Sequence, residues 1–184
     1  MEKNLKQLVL GCGNSRTLPF KVNGVQAVMD PDAIRLDISP DCKPDVVWDL
    51  NNLPLPFEDN SFDSVHAYEV LEHFGRQGGV RSFFGFFNEL WRIMKKDSLF
   101  FATVPHYKSV WVWGDPGHTR TINHGTIVFL NQDNYVNHVG DTPMTDYRRI
   151  YHGNFKTEKS IYVEPENNPD YSNARFYFIL KAIK

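Results

Sequence analysis

The sequence lacks the features that would place it in several large classes of protein. No apolar run is long enough to span a membrane, and the first residues carry no apolar signal-peptide core. Only two cysteines occur, Cys12 and Cys42, and no CxxC motif is present, which excludes a disulfide framework. We therefore expect a protein of the reducing cytoplasm.

The chain also lacks an excess of charge of either sign. Its 20 Lys and Arg nearly balance its 22 Asp and Glu, which leaves a net charge of −2 at pH 7. This balance disfavours nucleic acid or an anionic membrane surface as a partner, and the pair Arg148–Arg149 is too small a basic cluster to change that expectation. No internal repeat or low-complexity tract is present, so the 184 residues predict a single domain with room for a sizeable core.

What the sequence does contain is an alternation of short apolar runs with helical periodicity. Apolar residues recur on one helical face between Val80 and Met94 and predict an amphipathic helix. A second, short helix is expected near residues 125–131. The predicted strands are Leu8–Leu10, Ala33–Ile38, Asp45–Asp49, Phe62–Tyr68, Leu99–Val104, Ser160–Val163 and Ala174–Ile183.

This order of elements predicts a doubly wound α/β fold with a mixed seven-stranded sheet. The last two strands follow each other without a helix, so the last strand should be antiparallel. Residues 16–30 contain Pro19 and Gly24 and show no helical period, so the first helix should be shortened or absent.

A glycine-rich turn follows the first predicted strand. Gly11 and Gly13 permit a tight turn and a close approach of the backbone to a ligand. The pattern alone equally fits an ordinary turn. A dinucleotide-binding fingerprint would require a third glycine at position 16, where Arg16 stands, and this disfavours a nicotinamide cofactor.

Two acids close the next two predicted strands. Asp37 ends the second strand and Asp49 ends the third. In an open parallel sheet, ligands bind at the carboxyl ends of the strands, where one acid can accept hydrogen bonds from ribose hydroxyls and the other from an adenine amine. For either acid taken alone, a surface loop is the better interpretation, and Asp30 competes with Asp37 for the ribose.

Several blocks of residues 8–105, in order, carry a resemblance to a known family. The longest block is Leu53–Val65, continued by Tyr68–Phe74. Together with the segments around Gly11, Asp37 and Asp49, it resembles the small, type-11-like group of class I S-adenosylmethionine-dependent methyltransferases. The resemblance implies a Rossmann-like fold, an enzyme of class EC 2.1.1, S-adenosylmethionine as cofactor and a small-molecule methyl acceptor.

The resemblance also implies a division of the chain. The cofactor half would span about 5–105, acceptor-side loops about 106–155 and edge strands about 158–184 of one domain. The residues expected at the cofactor are Gly11, Cys12, Gly13, Asn14, Asp37, Ile38, Asp49, Leu50 and Glu69.

The acceptor would meet the loop after Pro105. The candidate catalytic residues there are His106, His118 and Arg120: histidine can act as a general base near neutral pH, and arginine can bind a carboxylate or phosphate. His118 and Arg120 fit a pair that only stabilises the loop equally well.

A metal site could be formed by four residues of this region, His106, Asp115, His118 and His124. Their spacing matches no known metal-binding motif, so we predict no metal.

Two further functions stay open at the level of sequence. The chain could bind S-adenosylmethionine or S-adenosylhomocysteine without catalysing transfer, since Ser15 replaces the usual third glycine of the first loop. A nicotinamide-dependent oxidoreductase is the weaker alternative. The acceptor, the methylated atom and the oligomeric state are not specified by the sequence.

Overall fold

The computed structural model describes residues 5–15, 20–22, 24–28, 30–164 and 166–184. The strands are β1 Gln7–Leu10, β2 Lys21–Val22, β3 Val25–Gln26, β4 Ile34–Asp37, β5 Val46–Val47, β6 Phe62–Tyr68, β7 Met94–Pro105, β8 Phe155–Val163 and β9 Arg175–Ala182. The helices are α1 Val80–Ile93, α2 Trp111–Gly114, α3 His124–Ile127 and α4 Gln132–His138. Short 3-10 turns occupy Pro40–Cys42, Leu71–His73 and Val128–Leu130.

Seven of the strands form one mixed sheet in the order β5-β4-β1-β6-β7-β9-β8. The pairings from β5 to β7 are parallel, whereas β9 runs antiparallel to both of its neighbours. This arrangement confirms the predicted α/β fold with an antiparallel last strand. The chain extends outward from β1 through β4 to β5 and then crosses back to β6, so a topological switch point lies at the carboxyl ends of β1 and β6.

The segment between β1 and β4 differs from a regular crossover helix, as its lack of periodicity predicts. Its described residues form a hairpin of β2 and β3 and contain no helix. Phe20 is fully buried and packs edge to face against Phe101 and Tyr177 on the sheet. Phe20, with Ala27 and Ala33 of the same apolar cluster, therefore covers sheet surface that a helix would otherwise cover. Residues 16–19 and Asn23 and Met29 lie outside the described part.

Helix α1 covers the other face of the sheet. Its apolar stripe is buried, and Phe87, with no exposed surface, contacts the rings of Phe83 and Phe86 on the helix and of Phe100 and Phe155 on the sheet. Because large aromatic side chains bury the most apolar surface, they supply most of the stabilisation at the contact between α1 and the sheet. The predicted helix is confirmed to within one residue.

The loop region after β7 holds more helix than the sequence indicates. The helix predicted near 125–131 is present as α3 and the following 3-10 turn, but α2 and α4 were not predicted. Each of these two helices buries one side chain, Val112 and Tyr135 respectively, so neither produces an apolar periodicity. Helix α4 instead depends on capping, because the side chain of Asn131 accepts a hydrogen bond from the N–H of Asp133.

Among the described residues, no helix combines the length and the apolar character needed to cross a bilayer.

The packing of α1 yields a stability prediction. We expect Phe87→Ala to lower the free energy of unfolding by about 3–5 kcal/mol, because it removes a buried ring and leaves a cavity between helix and sheet. Urea denaturation followed by circular dichroism measures the loss. Val136→Ala, at a side chain that is 72% exposed, is the control and should change stability by less than about 0.5 kcal/mol. A similar small change for Phe87→Ala would contradict this account of the core.

Candidate functional site

The turn after β1 brings the backbone close to the end of β6. Gly11 adopts a φ of +57°, and a Cβ placed on it would lie 2.3 Å from Cγ2 of Val70. Both the left-handed backbone and the contact exclude any larger residue. Gly13 also has a positive φ, of +50°, but open space surrounds it. The first glycine is therefore required by packing and conformation, and the second by conformation alone.

The same turn is held against β4 by two side chains. The backbone N–H of Gly13 donates to Oδ2 of Asp37 at 2.8 Å, and the carbonyl of Gly13 accepts from Nη2 of Arg35 at 2.9 Å. Oδ1 of Asp37 also accepts from the N–H of Ser39. Asp37 and Arg35 are both buried, so these charge-assisted bonds fix the rim of the cavity described next. The sequence analysis did not predict this role of Arg35. The alternation of apolar residues places Arg35 on a strand but does not indicate that its side chain bonds to Gly13.

A cavity of about 370 Å³ opens at the switch point, within the size range of small-molecule sites. Seven of the nine predicted cofactor residues line it: Gly11, Gly13, Asp37, Ile38, Asp49, Leu50 and Glu69. The other two do not, because Cys12 is buried in a separate apolar cluster and Asn14 is exposed. The remaining lining residues, Leu36, Trp48, Asn51, Val70, His73 and Phe74, were not predicted.

The chemistry of these residues fits the predicted cofactor. A carboxylate oxygen can accept more than one hydrogen bond, so Asp37 can hold ribose hydroxyls while it keeps its backbone partners. Oδ1 of Asp49 is fixed by the N–H and the side-chain amide of Asn51. Ile38 lines the cavity with 64% of its surface exposed, and an adenine ring would cover it.

Asp30 lies away from this cavity. Its Oδ1 accepts a hydrogen bond from the N–H of Asp32, and its own N–H donates to the side chain of Gln7. Asp30 is therefore part of a local turn. Of the two acids that compete for the ribose, the structure brings only Asp37 to the cavity wall.

Glu69 stands where β6 ends, in an unusual backbone conformation. Its φ is +53°, a sparsely populated value for a residue with a side chain and one that is often found at functional sites. Its Oε2 pairs with Nε of Arg175 at 2.7 Å. Burial raises the pKa of Glu69, and Arg175 opposes that effect.

One turn further on, a second acid and two histidines form a compact cluster. One ligand atom from each of Glu72, His73 and His118 lies within 4.8 Å of the other two. Glu72 is 3% exposed, and its Oε2 has no hydrogen-bond partner among the described residues. Burial, followed by the nearby Glu69 carboxylate, raises the pKa of Glu72 to about 8. Its carboxyl group is therefore mostly protonated at neutral pH, which sequence reasoning did not anticipate.

The rings of His73 and His118 pack edge to face at 4.6 Å. His73 donates from Nδ1 to the carbonyl of Gly117 and lines the large cavity. His118 has Nε2 at 3.9 Å from Oδ2 of Asp115, and its buried Nδ1 has no partner among the described residues. His118 thus sits behind His73, one ring away from the cavity.

The three predicted catalytic residues are not brought together. His106 is buried in an aromatic cluster, where Nε2 pairs with Glu164 at 3.0 Å and Nδ1 accepts from the N–H of Lys108. Both ring nitrogens are thus occupied. Arg120 is buried in the wall of a different cavity. His118 packs against His73 and Arg120 stacks on Phe74, and both of these partners line the cofactor cavity.

Of the residues considered for a metal in the sequence, only His118 belongs to the cluster described above. His124 instead shares a hydrogen bond with Ser160 at 3.0 Å. The grouping of Glu72, His73 and His118 is the metal-capable set within the described part of the chain, and it differs from the set that the sequence suggested.

Comparison with known proteins gives one family match. Residues 8–102, more than half of the chain, match the family described as a methyltransferase domain, of type 11. A search of the curated proteins finds no significant match.

Solved structures share the fold at low sequence identity. A chain from the complex of the Haloferax volcanii Trm112 methyltransferase activator with a candidate methyltransferase superposes with a TM-score of 0.62 at 14% identity, covering 100% of this chain and 85% of that one. An S-adenosylmethionine-dependent methyltransferase from Mesorhizobium loti gives 0.54 at 16%, covering 97% and 91%. The N-methyltransferase NodS from Bradyrhizobium japonicum, in complex with S-adenosylhomocysteine, gives 0.56 at 7%, covering 98% and 79%.

The raised pKa of Glu72 predicts a pH-dependent stability. The folded protein retains a proton on Glu72 that the unfolded chain releases near pH 4.5, so between about pH 5 and pH 8 this group lowers stability as the pH rises, by up to about 1.4 kcal/mol per pH unit. Glu72→Gln should remove this slope, and urea denaturation across that pH range measures it. Glu58→Gln, at an exposed position, is the matched control and should keep the slope. Parallel pH profiles for the parent and Glu72→Gln would refute the assignment.

Proposed function

The chain belongs to the methyltransferase domain family that its residues 8–102 match, and from this membership we propose that it transfers a methyl group to a small-molecule acceptor. The family confirms S-adenosylmethionine as the cofactor, in agreement with the sequence prediction. The observation that carries the proposal is the cavity at the switch point, where Asp37, Asp49 and Glu69 meet the glycine turn.

The residues of this cavity can bind and orient the cofactor. We assign the ribose to Asp37 and the adenine to Asp49, Leu50 and the exposed face of Ile38. Glu69, at the end of β6, is assigned to the methionine amine, for which a half-buried carboxylate in the cavity wall is a suitable partner. When bound, S-adenosylmethionine supplies an electrophilic methyl group on a sulfonium, so the protein mainly has to position the nucleophile and remove its proton.

Removal of that proton is assigned to His118. Its Nδ1 is buried and has no hydrogen-bond partner among the described residues, and its ring contacts His73 at the cavity wall. Glu72 lies in the same cluster, with one carboxyl oxygen within 4.8 Å of a nitrogen of each histidine, and because it is mostly protonated at neutral pH it adds no negative charge beside His118. His106 is left out of this assignment, since both of its nitrogens are occupied.

The loop after β7 is proposed as the acceptor side of the site. Helix α2 leaves Trp111 52% exposed and Trp113 67% exposed, and Tyr107 is 43% exposed. Exposed aromatic side chains that lie this close in sequence often mark a binding surface. The division into cofactor half, acceptor-side loops and edge strands stays a proposal, as does the cytoplasmic location, which is supported by two free cysteines.

Binding of the product tests the proposal directly. We expect S-adenosylhomocysteine to bind with micromolar affinity, about −8 kcal/mol, and to raise the melting temperature, whereas NAD and NADP should not. Isothermal titration calorimetry and thermal denaturation measure both effects. No heat and no shift with millimolar S-adenosylhomocysteine would refute the proposal. Binding without transfer to any acceptor would favour a non-catalytic binding protein instead.

A pair of matched variants tests the ribose assignment. Asp37→Asn removes the charge that faces the cavity and should weaken S-adenosylhomocysteine binding by about 1.5–3 kcal/mol. Asp30→Asn makes the same change in a nearby turn outside the cavity and should leave the affinity unchanged. The reverse pattern in calorimetry would show that Asp30 holds the ribose.

The role of His118 is tested by separating turnover from binding. His118→Gln should lower methyl transfer by about a hundredfold or more and leave the affinity for S-adenosylhomocysteine within a factor of about two. A metabolite extract supplies the acceptor, and mass spectrometry follows the formation of S-adenosylhomocysteine. His124→Gln is the control and should be fully active. If His118→Gln only lowers the melting temperature, with turnover per folded molecule intact, the histidine has a structural role.

A further inference from the structure

A second cavity, of about 280 Å³, lies beside the first residues of α1. Its walls combine the rings of Phe83, Phe84 and Phe129 with polar groups that include Arg120 and Thr121. Among the described residues that line it there is one charged side chain, Arg120, and no carboxylate. The cavity therefore has an apolar body and a single positive charge in its wall.

The charge of Arg120 has no counterion within the described part of the protein. The residue is 5% exposed, its guanidinium stacks on the rings of Phe74 and Phe83 at 4.9 and 5.0 Å, and its one hydrogen bond there runs from Nη2 to the carbonyl of Arg76. Its Nε has no hydrogen-bond partner in the described structure. Burial lowers the pKa of Arg120 to about 10, and no described carboxylate opposes that effect. A buried cation left in this state is costly unless a ligand supplies the negative charge.

Two further features of the wall favour a negative ligand. Helix α1 is 14 residues long and begins at the cavity without a side-chain cap or an acidic residue in its first turn, so the positive end of its dipole is not neutralised by the protein. The hydroxyl of Thr121, next to Arg120, is buried without a hydrogen-bond partner in the described structure. Helix, guanidinium and hydroxyl thus surround the same space.

We propose that this cavity binds the oxyanion group of a small ligand, a carboxylate or a phosphate, whose apolar remainder packs on Phe83, Phe84 and Phe129. That the ligand is the methyl acceptor rests on the function proposed above. Phe74 supports this link, because it lines the cofactor cavity and stacks on Arg120 of the second one. The acceptor would be anchored by its anion at a fixed distance from the transferred methyl group.

Binding of simple aromatic anions tests the site without reference to catalysis. Benzoate and phenyl phosphate carry the two candidate oxyanions on one aromatic ring, and benzamide is the neutral control. Calorimetry at low ionic strength should show binding of at least one anion at millimolar concentration or below, at least tenfold tighter than benzamide. A preference between the two anions identifies the oxyanion. Equal binding of benzamide, or no binding of either anion, would overturn the proposal.

Variants locate the binding in the cavity. Arg120→Gln should weaken anion binding at least tenfold, but it also removes the bond to the carbonyl of Arg76 and can impair folding. Thr121→Val removes a hydroxyl that makes no hydrogen bond in the described structure, so it should fold normally and still weaken the anion severalfold. Thr157→Val makes the same change on β8, outside this cavity, and should have no effect. Unchanged anion affinity in a folded Thr121→Val and Arg120→Gln pair would refute the site.

The two proposals fail in different ways. If the anions bind while S-adenosylhomocysteine does not, the oxyanion site stands and the proposed methyl transfer fails. If S-adenosylhomocysteine binds and neither anion does, methyl transfer stands and the oxyanion site fails.

Discussion

The carboxylate of Asp37 is the constraint on which the arrangement of the site depends. It accepts hydrogen bonds from the backbone of Gly13 on one side and of Ser39 on the other, so it ties the turn after β1 to the end of β4. Arg35 reinforces the tie from the opposite side of the turn, through the carbonyl of Gly13. With this turn fixed, the backbone of Gly11 can approach Val70 at the end of β6, and three strand ends converge on one cavity. The side chain assigned to the cofactor is therefore also the one that shapes its site.

Asp37 both holds the turn after β1 and lines the cofactor cavity. This explains how the site can form where the described residues between β1 and β4 contain no helix. In a doubly wound sheet, the helix after the first strand normally fixes the direction in which the glycine turn leaves the sheet. Here the described residues that follow form a hairpin, and Phe20 covers the sheet instead. Among the described residues, the hydrogen bonds that hold Gly13 of this turn run to Asp37 and Arg35 of β4.

The sequence specified those parts of the molecule that depend on local patterns. Alternation and periodicity located the parallel strands and α1, because burial of one face imposes a period on the residues. Helices α2 and α4 bury one residue each and leave no such period. The bond of Arg35 to Gly13 and the burial of Glu72, whose Oε2 has no partner among the described residues, arise from contacts between segments distant in the chain, which no local pattern encodes. His106 shows the opposite error, since a histidine next to a strand end suggested catalysis while Glu164 and Lys108 occupy both of its nitrogens.

The most informative residues are the carboxyl group of Glu72 and the guanidinium of Arg120, which the fold keeps apart. The main-chain carbonyl of Glu72 accepts from the N–H groups of Thr119 and Arg120, so the two segments are adjacent. Yet no ion pair joins the carboxyl of Glu72 to the guanidinium of Arg120, and both are buried.

A buried charge that has no partner costs several kcal/mol unless the charge is lost or a ligand supplies the opposite charge. Glu72 avoids this cost by retaining a proton beside His118. Arg120 remains charged at neutral pH and has no counterion among the described residues, so a bound anion would offset its cost. One side chain thus stays neutral beside His118 and the other is suited to holding an anion, on the two sides of a single pair of backbone hydrogen bonds.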